Sequence, residues 1–353
     1  MTANDDTTAH WGLPAFTGAL LATFVAYMVA WYLGIVAGNF SLVLFVLTVV
    51  TGLYWVAEKL WFKPQRLRAA DTLAKNLTAR RTALAGQGIN QLDTDWDAEA
   101  AQAKLRQQPW WLDWTAGLFP VLLAVFILRS FLFEPFKIPS GSMVPTLRVG
   151  DLILVNKFHY GIRLPVLNTK VVELNKPERG DVMVFRYPPQ PSLDYIKRVV
   201  GVPGDKISYL NKTLRINGEL VQQQPLEDFF DSDSMRYSKQ FETQLGDRTF
   251  RFLNDVDRPA FVAGATNFQG REGCTYSVEG VECTVPAGHY FMMGDNRDNS
   301  RDSRSRSVGF VPVENFIGRA KFLFFSHDNS AAFWEVWKWP FSIRFSRIGS
   351  GII

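Results

Sequence analysis

Apolar residues are not spread evenly along the chain but crowd into its first third. Two uncharged stretches, Pro14 to Val36 and Phe40 to Ala57, are each near the ~20 residues a membrane-spanning helix needs. They are separated by a short uncharged connection around Ala37 to Ser41, so they predict a helical hairpin in a membrane. A third stretch, Trp114 to Phe133, also reads as a span. It holds Pro120 and Arg129, but Arg129 lies near one end, where a long basic side chain reaches the interface. Trp110, Trp111 and Trp114 precede it as an interfacial belt does. From about Ile138 the pattern changes to short alternating segments such as Leu152 to Val155, Val182 to Phe185, Val199 to Val202 and Tyr290 to Met293. Gly, Pro, Asn and Asp turns divide them, which predicts a β-rich domain.

This pattern divides the chain into an N-terminal hairpin over 1–58, a basic loop over 59–111, a third span over 112–133 and a β-rich domain over 134–353. The more polar interval 206–285 reads as a second lobe of that domain. With 353 residues there is ample core-forming material, so no metal or disulfide scaffold is required for folding. The charge of +4 comes from 38 basic and 34 acidic residues that are largely intermixed, without a basic stripe carrying stacking aromatics, so nucleic acid is not an expected partner. Residues 1 to 13 carry no Lys or Arg, which argues against a cleavable signal peptide. Lys59, Lys63, Arg66, Arg68, Lys75, Arg80, Arg81, Lys104 and Arg106 all lie between the second and third spans. The excess of positive charge puts that loop on the cytoplasmic side and everything after Phe133 on the outer face.

Candidate chemistry begins just past the third span. Ser142 sits in Pro139-Ser140-Gly141-Ser142-Met143-Val144-Pro145-Thr146, where two prolines and a glycine enforce a non-helical, exposed backbone. The four histidines, His10, His159, His289 and His327, lie in no recognisable triad motif, although triads assemble in space and spacing alone does not exclude one. A lysine desolvated enough to lose its proton can replace histidine as the base. Lys197 interrupts a strand-like run, Tyr195-Ile196-Lys197-Arg198-Val199-Val200, and is either that base or a solvent-facing strand residue. Cys274 and Cys283 are the only cysteines, separated by a segment suited to a hairpin. An oxidising exterior allows them a disulfide, and the segment offers too few ligands for zinc.

Five ordered segments resemble the bacterial type I signal peptidases: Ile138 to Leu147, Gly150 to Phe158, Arg179 to Tyr187, Leu193 to Asp205 and Gly294 to Asp302. The resemblance extends to the second and third spans and to the tail Leu323 to Gly349, and the first span looks like an addition to that family's two-span arrangement. It implies a membrane-anchored, mainly β protein. Its transmembrane helices would be followed by a two-lobed catalytic domain of the signal-peptidase and self-cleaving-repressor type. It implies Ser142 as nucleophile, Lys197 as general base, and an oxyanion hole made of the Ser142 N–H and the Ser140 hydroxyl. Ser300 would orient the lysine amine, and Asp302 and Arg304 would form a supporting ion pair. Asp295, with Arg297, either supports the site or forms a turn. Because the stretch after Asp302 is two residues longer than usual, Arg306 stands as an alternative to Arg304. Phe136, Ile138, Met143, Leu147, Ile153, Val184, Asp194, Tyr195 and Ile196 match positions lining small pockets for Ala-like side chains, although Val184 and Leu147 suit a core equally.

The implied partners are the signal peptides of exported preproteins and the phospholipid bilayer, with no cofactor, no metal and a monomeric chain. The implied place is the bacterial inner (cytoplasmic) membrane, with the catalytic domain on the periplasmic side. A precursor-binding module that does not cut would need neither Ser142 nor Lys197. The self-cleaving repressor peptidases are soluble and typically carry DNA-binding elements, whereas this chain opens with apolar spans.

Overall fold

In the computed structural model, residues 12–36, 38–87, 98–164, 169–255, 258, 271–305, 308–328, 330, 331 and 334–353 are described, so His10 and Arg306 lie outside the described residues. The chain divides into two compact units, Met1–Ile127 and Leu128–Ile353.

The first unit is helical. Gly12–Tyr32 and Phe40–Ala57 are uncharged helices with few buried side chains, Thr17 in the first and Leu44, Thr48 and Thr51 in the second, the inverse of a water-soluble core. The second starts where Asn39 caps it, its side chain accepting from Leu42 N at 3.1 Å and satisfying one of the free N–H groups of the first turn. It does not stop where the apolar run stops. One π-type turn, Glu58–Phe62, leads directly into Lys63–Ala85, so the boundary at Ala57 is one of composition rather than of backbone. Two helices, Gly12–Tyr32 and Phe40–Ala85, are long and apolar enough to cross a membrane. The third apolar stretch differs from the expected span over 112–133. Its helical part runs from Ala116 to Leu132, bent by 72° from the preceding helical stretch Glu99–Asp113, and Phe133 already belongs to a strand. The bend falls at Trp114 and Thr115, between a one-turn helix Trp110–Asp113 and a 3₁₀ turn Ala116–Leu118. Trp111 and Leu112 are buried there against Leu13, Tyr54 and Phe62, so of the three belt tryptophans packing holds only Trp111 inward, while Trp110 and Trp114 stay exposed.

The second unit is mainly β. Its principal sheet has seven strands in the spatial order Phe133–Lys137, Asp151–Asn156, Phe316–Ser326, Val182–Arg186, Asp194–Gly201, His289–Met293 and Val311–Pro312, all antiparallel. The strand Asp194–Gly201 is buried from Ile196 onward. Successive side chains point to opposite faces, so the burial of both Lys197 and Arg198 means that both faces of this strand are covered. One core cluster gathers Ile138, Met143, Leu147, Ile153, Val184 and Ile196, and a second gathers Tyr160, Met183, Phe185, Val199, Tyr290 and Met292.

The interval expected as a second lobe folds into a five-stranded sheet over Lys206–Leu220 and Cys274–Thr284, beside a set of strands centred on Arg236–Leu245 and Arg248–Asn254. Cys274 and Cys283 are directly opposite in one hairpin and form a disulfide.

Candidate active site

Three segments far apart in sequence meet at Ser142. The first is its own loop. Ser140 is extended, Gly141–Met143 makes a single 3₁₀ turn, and Val144 returns to extended backbone ahead of a cis Pro145. Pro139 and Pro145 preclude a longer helix, while Met143 and Leu147, both fully buried, root the loop in the core. Ser142 is thereby held in place with 7% of its surface exposed, whereas Ser140 stays exposed.

The second segment is the strand Asp194–Gly201. Lys197 Nζ lies 2.7 Å from Ser142 Oγ and 2.8 Å from the Ile196 carbonyl oxygen, to which it donates. The lysine is 4% exposed. Burial pushes its pKa down from 10.5 to about 8, although the carboxylates of Asp302 and Asp295 act in the opposite direction and Arg304 adds to the fall. An amine with that pKa is partly neutral near neutral pH and can take a proton from a hydroxyl at hydrogen-bond distance.

The third segment is Gly294 to Arg304. Asn296 holds the nucleophile loop twice, its backbone N–H donating to Ser142 O at 3.1 Å and its Nδ2 to Gly141 O at 3.1 Å. Gly294 permits the approach, since a Cβ there would stand 2.2 Å from Ser300 Oγ and 2.6 Å from Ser142 O. The backbone N–H of Gly294 donates to Asp302 at 2.9 Å. Asp302 takes a two-pronged grip from Arg304, at 2.9 and 2.8 Å, and Arg304 also donates to Arg297 O at 2.5 Å. Burial alone would raise the Asp302 carboxyl, but the Arg304 guanidinium, helped by the Gly294 N–H and Ser300, holds it below the ordinary range.

The Arg304 alternative of the expected ion pair is therefore formed. Ser300 Oγ is buried and makes no hydrogen bond to Lys197 Nζ, whose partners among the described residues are Ser142 Oγ and Ile196 O.

Asp295 has a partner that sequence reasoning did not name. Arg198, the neighbour of Lys197, donates to both Asp295 oxygens at 2.8 and 2.6 Å, with both side chains 1% exposed. Thr146 adds a 2.5 Å bond to the same carboxylate, and the Arg198 guanidinium lies 3.7 Å from the centre of the Phe250 ring. Asp295 is thus the buried half of an ion pair rather than only a turn residue. Arg297 is buried over the Phe252 ring at 4.3 Å. Gly294 and Asn296 lie in the segment Gly294 to Asp302, but neither spacing nor periodicity says what a loop amide will reach.

Of the expected pocket residues, Ile138, Met143, Leu147, Ile153, Val184 and Ile196 are buried in one cluster, with Phe136 packed against it. Asp194 is exposed, and Tyr195 is half-buried and stacked on Tyr187 at 4.4 Å. None of the described histidines contacts Ser142. His159 faces Arg319, His289 faces Ala287 O, and His327 pairs with Ile343.

A buried serine and a buried lysine thus lie within hydrogen-bond reach of one another on a β scaffold that follows apolar helices in the chain. A family model described as signal peptidase, peptidase S26, matches residues 111–325. The signal peptidase I of Pseudomonas aeruginosa is 40% identical over 88% of this chain and 98% of its own length. That of Haemophilus influenzae is 33% identical over 89% of this chain and 92% of its own. A solved signal peptidase I chain from Enterococcus faecalis V583 is 28% identical, covering 42% of this chain and 98% of that one, with a TM-score of 0.24. The chain belongs to the signal peptidase I family, peptidase S26, and is a serine endopeptidase.

Proposed function

We propose that the chain removes signal peptides after small residues of the Ala-X-Ala kind, with Ser142 as nucleophile and neutral Lys197 as general base. The observation that carries this reading is the 2.7 Å separation of Lys197 Nζ and Ser142 Oγ, both buried. As Oγ attacks the scissile carbonyl carbon, its proton passes to the lysine amine, and the ammonium then delivers that proton to the departing amine. The oxyanion is met by the Ser142 N–H and the Ser140 hydroxyl. One donor aimed in advance at an oxyanion is worth roughly 2.7–4 kcal/mol. Water activated by the same amine releases the acyl group from Ser142.

The substrate lies as an extended strand along Asp194 to Ile196. Val182–Arg186 pairs with this segment on one side. On the other, His289–Met293 reaches only Arg198 to Gly201, so among the described residues the edge beside Asp194, Tyr195 and Ile196 has no strand partner. An unpaired edge takes a peptide by backbone hydrogen bonds and reads its alternate side chains. Phe136, half-buried against the cluster of Ile138 and Met143, supplies apolar surface for small ones.

The helices Gly12–Tyr32, Phe40–Ala57 and Ala116–Leu132 are read as three spans of the inner membrane. The basic loop is then cytoplasmic and the peptidase unit periplasmic, where Cys274 and Cys283 can be oxidised. The deciding experiment is cleavage of a precursor whose signal ends in Ala-X-Ala. Wild-type protein should release the mature chain and Ser142→Ala should not. Equal turnover by both would sink the assignment.

A further inference from the structure

The helix that begins at Phe40 runs past the end of its apolar part, and the first side chain beyond is buried. Glu58 is 6% exposed and is gripped by Arg66 through two hydrogen bonds of 2.5 and 3.0 Å. A carboxylate withdrawn from water at the border of an apolar helix needs such a partner. The pair leaves Arg66 Nε buried and without a hydrogen-bond partner among the described residues.

Beside this pair opens a cavity of about 390 Å³, walled by Lys59, Lys63 and Arg66 of the long helix, by Arg106, and by Trp55. Its opposite wall is Ala116 and Gly117, small residues that leave room where the third apolar helix starts. The positive end of that helix's dipole lies at the same place. Four cations thus line a space whose one carboxylate, Glu58, is already neutralised by one of them. A further acid, the exposed Asp71, lies 3.5 Å from Arg106. Trp55, with Lys59 Nζ 5.7 Å from its ring, sits in the last turn of the apolar run, the level at which tryptophans meet headgroups. A basic pocket between spans, at headgroup depth, has the chemistry that holds a phosphate.

We propose that this cavity binds the phosphate of an anionic phospholipid headgroup, with the acyl chains lying along the apolar helices. The proposal rests on reading those helices as membrane spans and is independent of the Ser142–Lys197 assignment. Free phosphate shares the recognition chemistry and is distinguished in the test.

Full-length protein is placed in nanodiscs of phosphatidylcholine with graded phosphatidylglycerol, and retained lipid is counted by native mass spectrometry. Three substitutions together, Lys59→Gln, Lys63→Gln and Arg106→Gln, should weaken phosphatidylglycerol retention by about a hundredfold, from roughly fivefold for each charge near the surface. The same number of charges removed further along the helix, by Lys75→Gln, Arg80→Gln and Arg81→Gln, should change it by less than about threefold. Lys63→Gln alone, at an exposed position, should give about fivefold and guards against a folding defect in the triple variant. Equal losses from the two triple variants would mean diffuse charge attraction and overturn the site. Inorganic phosphate that displaces the lipid at millimolar concentration and protects the cavity variants' parent equally well from heat would overturn the lipid assignment. Cleavage of a soluble precursor in detergent should be the same for all of these variants, so failure of the lipid site leaves the peptidase reading standing, and the reverse.

Discussion

Protonating Lys197 should stop the enzyme and relieve nothing in the fold. With a folded pKa of about 8, half the amine is neutral at pH 8 and about 1% at pH 6, so kcat/KM on a non-titrating substrate should drop about fiftyfold between the two. The quantity reports the free enzyme, so further desolvation by bound substrate does not enter. Stability carries the same signature with a definite sign. Between about 8 and 10.5 the unfolded chain holds a proton on this lysine that the folded chain has lost, so stability from this group rises with pH across that window. Below it both states are charged, and the folded state bears a cost of roughly 3 kcal/mol, the gap between 10.5 and about 8 expressed as energy. Lys197→Met, which removes the buried charge, should therefore unfold at higher temperature than wild type at pH 6.5, with the difference shrinking toward pH 10. The assays are a pH series of kcat/KM and paired melting curves in one detergent. A rate constant flat from pH 9 to pH 6 would refute a base with this pKa, and one flat down to about pH 4 would remove Lys197 from the role altogether, since buried lysines rarely titrate below roughly pH 5.

Gly294→Ala should lower kcat by two orders of magnitude or more with a modest fall in melting temperature, because a methyl group 2.6 Å from Ser142 O displaces the nucleophile, and a misplacement of about 1 Å costs ~100-fold; unchanged kcat would show that the loop can yield. Arg198→Met should destabilise by about 3–5 kcal/mol by stranding buried Asp295, read by denaturant or thermal unfolding, and a loss under 1 kcal/mol would mean that the carboxylate finds water. Reporters fused after residue 85 should read cytoplasmic and those after residue 220 periplasmic; both on one side would remove the third span.

The strands were legible because short alternating runs between turn residues have few other solutions, and Leu152 to Val155, Val182 to Phe185 and Tyr290 to Met293 all lie within observed strands. Ser142 could be suspected locally, from prolines and glycine that forbid regular structure. Its pairing with Lys197, 55 positions away, could be reached only through resemblance, since nothing local encodes which strand residue a loop will touch. Arg198 was passed over for a related reason. A strand covered on both faces ordinarily reads as a continuous apolar run, and a charged pair inside one suggests exposure until the burying carboxylate, Asp295, is found 97 positions later. The 72° bend ahead of the third apolar stretch was not legible, because composition records length and charge, whereas the bend falls where Trp111 and Leu112 are buried.

The strand order also sets a schedule. Ser142 follows the edge strand Phe133–Lys137 and Lys197 lies in Asp194–Gly201, yet the strand inserted between the two halves of the sheet, Phe316–Ser326, comes after both in the chain. A nascent chain halted before residue 316 already carries both reactive residues but lacks the piece that joins their halves of the sheet. Formation of the Ser142–Lys197 contact should therefore wait on a strand that follows both residues in the chain.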